Sequence, residues 1–328
     1  MKVVEIFNRG GWMHSAGGTG PYLSLKARLP ELHRQDVDHT VFRRFELFEV
    51  PSVRNSTMLV PRRDLPVALA AGRRAFGEQL KKLAKLGVTR EQLEELAGHV
   101  MRVLARGGIR SADQLRGGIP PRMIRELGEA GKQLGFATTL PVALRLLQLE
   151  GRVTRLAEER RLDGKLHFYR LADFVLGPPP DDLDRALAER FVRWSGSAHI
   201  DDFAWWAGIT KKAAKTALAG LVAAGEGAAV PDGIVLLPFR DNHFALRHGT
   251  TPEPHHNTIV ADGALIGLWE YDRDNERIVA RCQGKAPRAL AAAIAALGTF
   301  IRDELGDHSF YAFDRGATRA KRIAEMSG

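Results

Sequence analysis

Two side chains of this sequence could act chemically on a water molecule, His14 and Asp241. Imidazole changes protonation near neutral pH, so His14 could polarise a water molecule through a hydrogen bond. The alternative is a structural histidine beside the glycine-containing loop that follows it. No carboxylate lies between Glu5 and Glu31, so the loop around His14 contains no acidic partner of its own.

Asp241 is therefore the carboxylate of interest. It follows Leu236, Leu237 and Pro238, and it could approach a channel from the end of that apolar segment. An aspartate that begins a helix is the alternative, because a carboxylate at that position accepts hydrogen bonds from backbone N–H groups of the first turn.

A second set of residues has the chemistry to bind phosphate. These residues lie on turns between strands or at the start of a helix, where basic side chains and backbone N–H groups attract anions. They are Arg54, Asn55 and Arg62, Arg152 and Arg155, and Lys211, Lys212 and Lys215. For each of them an ordinary solvated surface position is the alternative.

The charge balance favours a polyanionic partner. The chain has 48 Lys and Arg against 39 Asp and Glu, a formal net charge of +9. A basic surface of this size is typical of proteins that bind nucleic acid, although basic proteins that bind none are also common. We therefore expect double-stranded DNA as the partner if the basic residues cluster on suitable elements.

The single cysteine, Cys282, excludes an internal disulfide framework and any site built from several thiolates. Neither a metal nor a cofactor is expected. No run of 18 or more apolar residues occurs, and the N-terminal segment has no apolar core of signal-peptide length. The sequence thus predicts a cytoplasmic protein with no membrane-spanning segment.

The order of elements indicates repeated winged helices. Short helices at 21–29 and 36–44 precede strands at 47–50 and 57–60, which a polar turn separates. Long helices follow at 64–86 and 90–106, and Thr89 with Gln92 forms a capping box before the second. Ser111 begins another helix, and helices near 123–134 and 139–150 precede a basic β-like stretch at 152–170.

The segment Gly177 to Pro180 is the clearest linker, since consecutive prolines stop helices and strands. Helices are expected at 182–194, 199–207 and 210–224, then an extended segment to Pro238. The spacing of Leu144, Leu147 and Gly151 matches that of Leu218, Leu221 and Gly225. This match favours a repeated unit in which the glycine closes the third helix.

Beyond Pro238 the pattern predicts a small sheet. Residues 257–271 alternate around a turn at Ala261–Gly263, another strand covers 277–282, and an alanine-rich helix covers 287–305. The basic tail 315–322 is expected to be mobile. The predicted fold is mainly α with small β elements: three tandem winged-helix units and a C-terminal β-rich α+β domain. The units cover residues 1–62, 63–176, 181–238 and 239–328.

The predicted third helices carry few side chains that read bases. Residues 140–149 offer only Arg145 and Gln148, whereas sequence-specific readers display Arg, Asn and Gln toward base edges. The pattern favours recognition of DNA through its backbone and shape.

An ordered series of segments resembles the AlkZ/YcaQ-like bacterial DNA glycosylases. The segments are HSA at 14–16, PYLSLKARL at 21–29, RNSTMLVP at 54–61, DDFAWWAG at 201–208, LLP at 236–238 with Asp241, and VADG at 260–263 up to GLW at 267–269. The resemblance implies three winged helices and a β-rich domain around a positively charged channel. It also implies excision of alkylated bases, including those in interstrand crosslinks.

The resemblance places His14, Ser15 and Ala16 where the family has its catalytic motif, Gln–hydrophobic–Gln or a variant that begins with His or ends with Asp. Ala16 offers no polar group in place of the second amide. A cationic N-alkylated purine leaves readily, so an enzyme must mainly position water and stabilise an oxocarbenium-like transition state. His14 could fulfil that requirement.

Two further functions remain open. One is a non-catalytic winged-helix DNA-binding protein, a regulator or damage sensor, which the loss of both motif glutamines favours. The other is a conventional repressor, which would need an operator and a dimer interface that the sequence does not show. The hypothesis that we favour is a monomeric, nucleoid-associated and monofunctional DNA glycosylase.

Overall fold

A computed structural model describes residues 2–15, 18–223, 230–247, 256–308 and 316–327. The helices are α1 Val3–Gly10, α2 Gly20–Lys26, α3 Arg34–Phe42, α4 Leu65–Ala84, α5 Arg90–Gly107, α6 Ala112–Gly117, α7 Gly128–Gln133, α8 Thr139–Leu149, α9 Leu183–Ser195, α10 Ile200–Ala207, α11 Lys211–Leu218, α12 Asn242–Ala245, α13 Leu290–Phe300 and α14 Gly316–Ser327. The strands are β1 Met13–His14, β2 Leu47–Pro51, β3 Thr57–Pro61, β4 Arg110–Ser111, β5 Val153–Ala157, β6 His167–Leu171, β7 Ile234–Leu237, β8 Asn257–Ala261, β9 Ala264–Asp272 and β10 Arg277–Cys282.

The chain divides into two compact units. A continuous unit covers Phe48–Leu183, and a discontinuous unit combines Met1–Leu47 with Asp184–Gly328. The secondary structure mixes helices with antiparallel sheets, as predicted from the sequence. Among the residues that are described, no helix combines the length and the apolar character that a bilayer crossing requires.

The continuous unit contains one segment with the element order of a winged helix. Helices α5, α6 and α8 are followed by the hairpin β5–β6, and β4 joins the hairpin to give a sheet with order β4-β6-β5. The apolar faces of the three helices and β5 form one core. The predicted capping box is confirmed, because Thr89 accepts from the Gln92 N–H at 3.2 Å. Ser111 accepts from the Gln114 N–H at the same distance and begins α6, as predicted. The number of such units stays a prediction.

The helix predicted near 123–134 is wrong over its first half. A 3-10 turn at Pro121–Met123 and the short helix α7 replace it. Between them the backbone is held in extended pairing: Leu127 N–H donates to Ala137 O at 2.9 Å, and Thr139 N–H donates to Arg125 O at 3.0 Å. These hydrogen bonds join residues more than nine positions apart, and the local apolar spacing gave no sign of them.

The discontinuous unit has an aromatic core among its helices. Trp12 contacts Trp194 and Trp206, with ring centroids 5.2 and 5.9 Å apart, and Phe191 contacts Phe203 at 5.3 Å. Trp206 is buried, whereas Trp205 is half-buried. Helix α1 carries buried Val3, Ile6 and Phe7, and the sequence analysis named no element before residue 21.

The extended segment predicted before Pro238, at the end of the third predicted winged helix, belongs to a larger sheet. Strand β7 pairs antiparallel with β8, from Ile234–Ala261 to Leu237–Thr258, and the four strands have the order β10-β9-β8-β7. Helix α11 ends at Leu218, before Leu221, because Gly220 with φ 72° follows it. The predicted equivalence of Leu221 with Leu147 inside a third helix is therefore wrong, and Gly225 lies outside the described residues.

The C-terminal strands and the alanine-rich helix are confirmed. Trp269 of β9 is fully buried, and its indole N–H donates to Leu237 O at 3.1 Å. The basic tail, expected to be mobile, instead includes helix α14, while Arg315 lies outside the described residues. Arg322 of this helix is buried and donates to Glu270 at 2.6 Å, because a buried carboxylate needs a cationic partner.

Candidate active site

His14 lies in β1, in a segment that the fold holds firmly. Gly11, with φ 82°, ends the preceding helix in a conformation that only glycine adopts without strain. A Cβ atom at this position would also lie 2.9 Å from Cδ2 of Trp194. The next residue, Trp12, is buried among aromatic rings, so the backbone that leads to His14 has little freedom.

A second segment, residues 240–242, lies against this strand. The Asn242 side-chain amide donates to Gly10 O at 2.6 Å and to Trp12 O at 2.9 Å. These two carbonyls would otherwise be buried near the end of α1 without a side-chain partner. Asn242 therefore fixes the distance between two parts of the chain that are 230 and 232 positions apart.

Asp241 is buried, with 1% of its side chain exposed, and it forms a two-point ion pair with Arg28. It also accepts from the His243 N–H at 2.8 Å and so caps α12, as the helix-capping alternative predicted. Burial alone raises the pKa of Asp241, but the charge and hydrogen bonds of Arg28, with those of Ser24 and the His243 amide, hold this pKa below its usual value. The carboxylate is ionised and enclosed.

Arg240 contacts His14 directly. Its Nη1 lies 2.8 Å from Nε2 of the His14 ring. A guanidinium can only donate, so Nε2 accepts and the ring proton of a neutral His14 resides on Nδ1. Arg240 itself is exposed, adopts φ 64°, and its guanidinium lies 5.1 Å from the centroid of the Phe239 ring.

The rest of the predicted catalytic motif is only partly visible. Ser15 is fully buried, and Ala16 lies outside the described residues. Farther along the same loop, the Thr19 hydroxyl is 2.6 Å from Nδ1 of the buried His308. Burial, with the Arg319 charge acting in the same direction, lowers the pKa of His308 to about 3, so this ring is neutral at neutral pH.

In the continuous unit, the predicted phosphate-binding residues occupy different environments. Arg54 and Arg62 are exposed, and Arg62 also lies over the Phe174 ring at 5.9 Å. Asn55 is half-buried, and its amide donates to Ala75 O at 3.0 Å. Arg152 is exposed and lies 3.3 Å from Glu150. Arg54, Arg62 and Arg152 are thus the three of these four that are exposed to solvent.

Arg155 differs from the others because it is half-buried and forms an ion pair with the buried Glu49. Burial, reinforced by the Arg155 charge, lowers the pKa of His167 to about 4. Arg155 therefore stabilises a charge inside the fold, and its guanidinium is less available to DNA than the sequence suggested.

The three lysines of α11 are exposed at the beginning of that helix. Lys211 lies 2.9 Å from Asp201, Lys212 follows it in the first turn, and Lys215 lies one turn farther along. Thr210 caps the helix by accepting from the Ala213 N–H at 3.2 Å. Backbone N–H groups and lysines at one helix end form a suitable surface for phosphate.

The sequence pointed to His14 and Asp241 but not to their partners Arg240 and Arg28, nor to Asn242, which binds the backbone before His14. Arg28 lies within a segment quoted for the family resemblance, and Arg240 and Asn242 flank Asp241. A buried arginine in an otherwise apolar helix end was the available signal for Arg28, since such a residue needs a carboxylate. Within the described ranges, no group of three His, Cys, Asp or Glu side chains could hold a metal ion.

Comparison with known proteins defines the class of the protein. The fold matches a solved structure, the DNA glycosylase AlkZ of Streptomyces sahachiroi, with a TM-score of 0.65 and 16% identity over 95% of this chain and 93% of that chain. A family model described as "DNA glycosylase AlkZ-like" matches residues 8–252. The chain belongs to this AlkZ-like DNA glycosylase family, which confirms the resemblance drawn from the sequence. A search of curated proteins found no match.

Proposed function

We propose that this protein is a monofunctional DNA repair glycosylase that excises bulky or cationic N-alkylated purines by water attack at the glycosidic carbon. The proposal includes purines joined in interstrand crosslinks. It rests on family membership and on one observation: Asp241, which carries the carboxylate of segment 240–242, is already bound by Arg28. We further propose that the protein acts as a monomer, without a cofactor, on the nucleoid in the cytoplasm.

The choice of a cationic lesion follows from which groups of the site could supply a proton to the leaving purine. A neutral purine needs a proton before it leaves, and a general acid must supply it. Asp241 is ionised and enclosed, and Nε2 of His14 accepts a hydrogen bond from Arg240. Neither the Asp241 carboxylate nor Nε2 of His14 is therefore placed to donate a proton. A purine alkylated at N7 or N3 is already cationic and can leave without that proton.

His14 would act on the attacking water. In this proposal its imidazole orients the water at the sugar carbon, where correct placement contributes a large part of the rate. Asp241 supports the site from behind, because its pair with Arg28 and its cap on α12 hold residues 240–242 in place. The phosphate backbone would contact Arg54, Asn55, Arg62, Arg152, Lys211, Lys212 and Lys215, with a smaller contribution from Arg155.

The deciding experiment measures abasic-site formation. Purified protein is incubated with duplexes that contain N7-methylguanine or a nitrogen-mustard crosslink, and strand breaks are quantified after alkali. We expect abasic sites above a heat control and at least about a hundredfold slower excision by His14→Ala. His199→Ala, which removes an imidazole that is 72% exposed on another element, is the matched control and should retain the wild-type rate.

The two negative outcomes are distinct. Binding to the duplexes without excision by the wild-type protein would favour the non-catalytic DNA-binding function. Excision that survives His14→Ala would retain the glycosylase and remove His14 from the mechanism.

A further inference from the structure

We infer that Arg240 is a positioning residue for His14, which sets both the orientation and the tautomer of its imidazole ring. The effect on catalysis rests on the proposed function, whereas the structural claim concerns only the contact between two atoms. Nη1 of Arg240 and Nε2 of His14 are 2.8 Å apart, although the residues are 226 positions apart in sequence.

The contact is built into the fold on the Arg240 side. The two residues after Arg240 are both fixed: Asp241 by its buried pair with Arg28, and Asn242 by hydrogen bonds to Gly10 O and Trp12 O. Segment 240–242 is therefore attached to the strand that carries His14 at a point just before the histidine. An exposed arginine would otherwise sample many rotamers at little cost.

The backbone of Arg240 supports the same conclusion. Its φ of 64° places it in the left-handed region, which is unfavourable for residues other than glycine, asparagine and aspartate. Neither Asp241 nor Asn242, the next two residues, could be moved without breaking a buried contact, so the chain turns at Arg240. This turn directs the side chain toward His14, and the Phe239 ring lies 5.1 Å from its guanidinium.

The chemical effect is a choice between two tautomers. In water, neutral imidazole carries its proton on either nitrogen, and a hydrogen bond to one nitrogen selects the form. The Arg240 guanidinium is always a donor, so it selects the form with a lone pair on Nε2 and a proton on Nδ1. The imidazole of His14 thus keeps the lone pair of Nε2 toward Arg240 and its proton on Nδ1.

The test compares Arg240→Met and Arg240→Lys in the full-length protein. Both substitutions have an unbranched Cβ, so the cost of the left-handed backbone is about the same as for arginine, and only lysine retains a donor. Arg288→Met, at an exposed arginine near α13, is the control for the loss of one positive charge. Circular dichroism and thermal unfolding establish that each variant is folded.

The first readout does not depend on activity. Nitrogen-15 NMR of the histidine side chains reports which ring nitrogen of His14 is protonated. The wild-type protein and Arg288→Met should show the Nδ1–H form, and Arg240→Met should shift to a mixture of forms. An unchanged His14 spectrum in Arg240→Met overturns the inference.

The second readout is single-turnover excision with saturating enzyme. We expect Arg240→Met to be about 10- to 100-fold slower, with partial recovery in Arg240→Lys, since misplacement of a group that orients water costs this much. Its affinity for undamaged duplex should change no more than that of Arg288→Met. A loss of rate that only follows a loss of affinity overturns the inference, because Arg240 would then be a DNA contact. If the wild-type protein excises nothing while its His14 tautomer still depends on Arg240, the proposed function fails and the positioning role stands.

Discussion

Arg28 and Asp241 form a buried ion pair across the discontinuous unit, with Nη1–Oδ2 and Nη2–Oδ1 distances of 2.8 and 2.7 Å. The pair joins the end of α2 to the segment that carries Arg240. Removal of one partner leaves the other as a buried, uncompensated charge, which is far more costly than the loss of both.

Arg28→Met should therefore lower the free energy of unfolding by about 3–5 kcal/mol. The double variant Arg28→Met/Asp241→Asn should lose less than the sum of the two single variants, because it buries no unpaired charge. Arg90→Met breaks an exposed pair with Glu94 and is the control, with an expected loss much smaller than that of Arg28→Met because solvent screens the pair. Denaturant unfolding measures the wild type and all four variants, and equal losses in Arg28→Met and Arg90→Met would contradict the buried role.

Stability should fall with acid in a window that His308 defines. The folded protein holds this ring neutral down to a pKa of about 3, while the unfolded chain protonates it near 6.5. The unfolded state thus binds the extra proton as the pH falls below 6.5, and stability decreases by up to about 1.4 kcal/mol per pH unit. The contribution of Asp241 is still complete in most of this window, since its lowered pKa makes its stabilisation fade only below about pH 4.

His308→Gln should retain hydrogen bonding toward Thr19 and Asn257 and remove the titrating ring. Its free energy of unfolding should decrease less steeply than that of the wild type between pH 6 and pH 4.5. The neutral His167 adds a similar slope in both proteins, so the difference between the two curves isolates His308. Parallel curves would show that His308 does not resist protonation.

Two glycines of α4 should respond to alanine in opposite directions. A Cβ atom at Gly77 would meet nothing within 4 Å, so Gly77→Ala should raise the free energy of unfolding by about 0.5–1 kcal/mol through a less flexible unfolded chain. At Gly72 the same atom would lie 2.5 Å from Pro51 O and from a Leu149 methyl carbon, so Gly72→Ala should destabilise. Thermal unfolding compares the two variants, and a matching sign would contradict the packing described for this helix.

Lys212 and Lys215 should contribute to the salt dependence of DNA binding. If each contacts one phosphate, Lys212→Gln/Lys215→Gln should lower the slope of log K against log salt by about 0.9 for each lysine. The control is Lys285→Gln, an exposed lysine after β10. Fluorescence anisotropy with an undamaged duplex between 50 and 200 mM salt, as an order-of-magnitude range, measures the slope. A slope unchanged in the double variant would place the DNA elsewhere.

Local sequence signals predicted much of the fold. The bounds of α5 and α6 follow from Thr89 and Ser111, because a capping box requires only residues three positions apart. The strands β8 to β10 follow from alternation and from the turn at Asp262–Gly263. Elements whose backbone pairs with distant residues were missed or misplaced. Strand β7 is the clearest example, since its partner β8 lies more than twenty residues farther along the chain.

The candidate site divides in the same way. His14 and Asp241 were identified from their chemistry and from the family resemblance, whereas Arg240 gave no signal because an exposed arginine is common. Its importance depends on a contact over 226 positions, which a single sequence does not reveal. Arg155 was misjudged for a similar reason. Its basic neighbours suggested a DNA surface, but its guanidinium forms an ion pair with Glu49 on a distant strand.

The discontinuous unit has a consequence for biosynthesis. Residues 48–183 form a continuous unit that leaves the ribosome before residues 240–242, whereas the segment that carries His14 needs residues 240–242 for its contacts. Until then the carbonyls of Gly10 and Trp12 lack the Asn242 amide, and Arg28 lacks Asp241. The arrangement around His14 would therefore be among the last parts of the newly made protein to form.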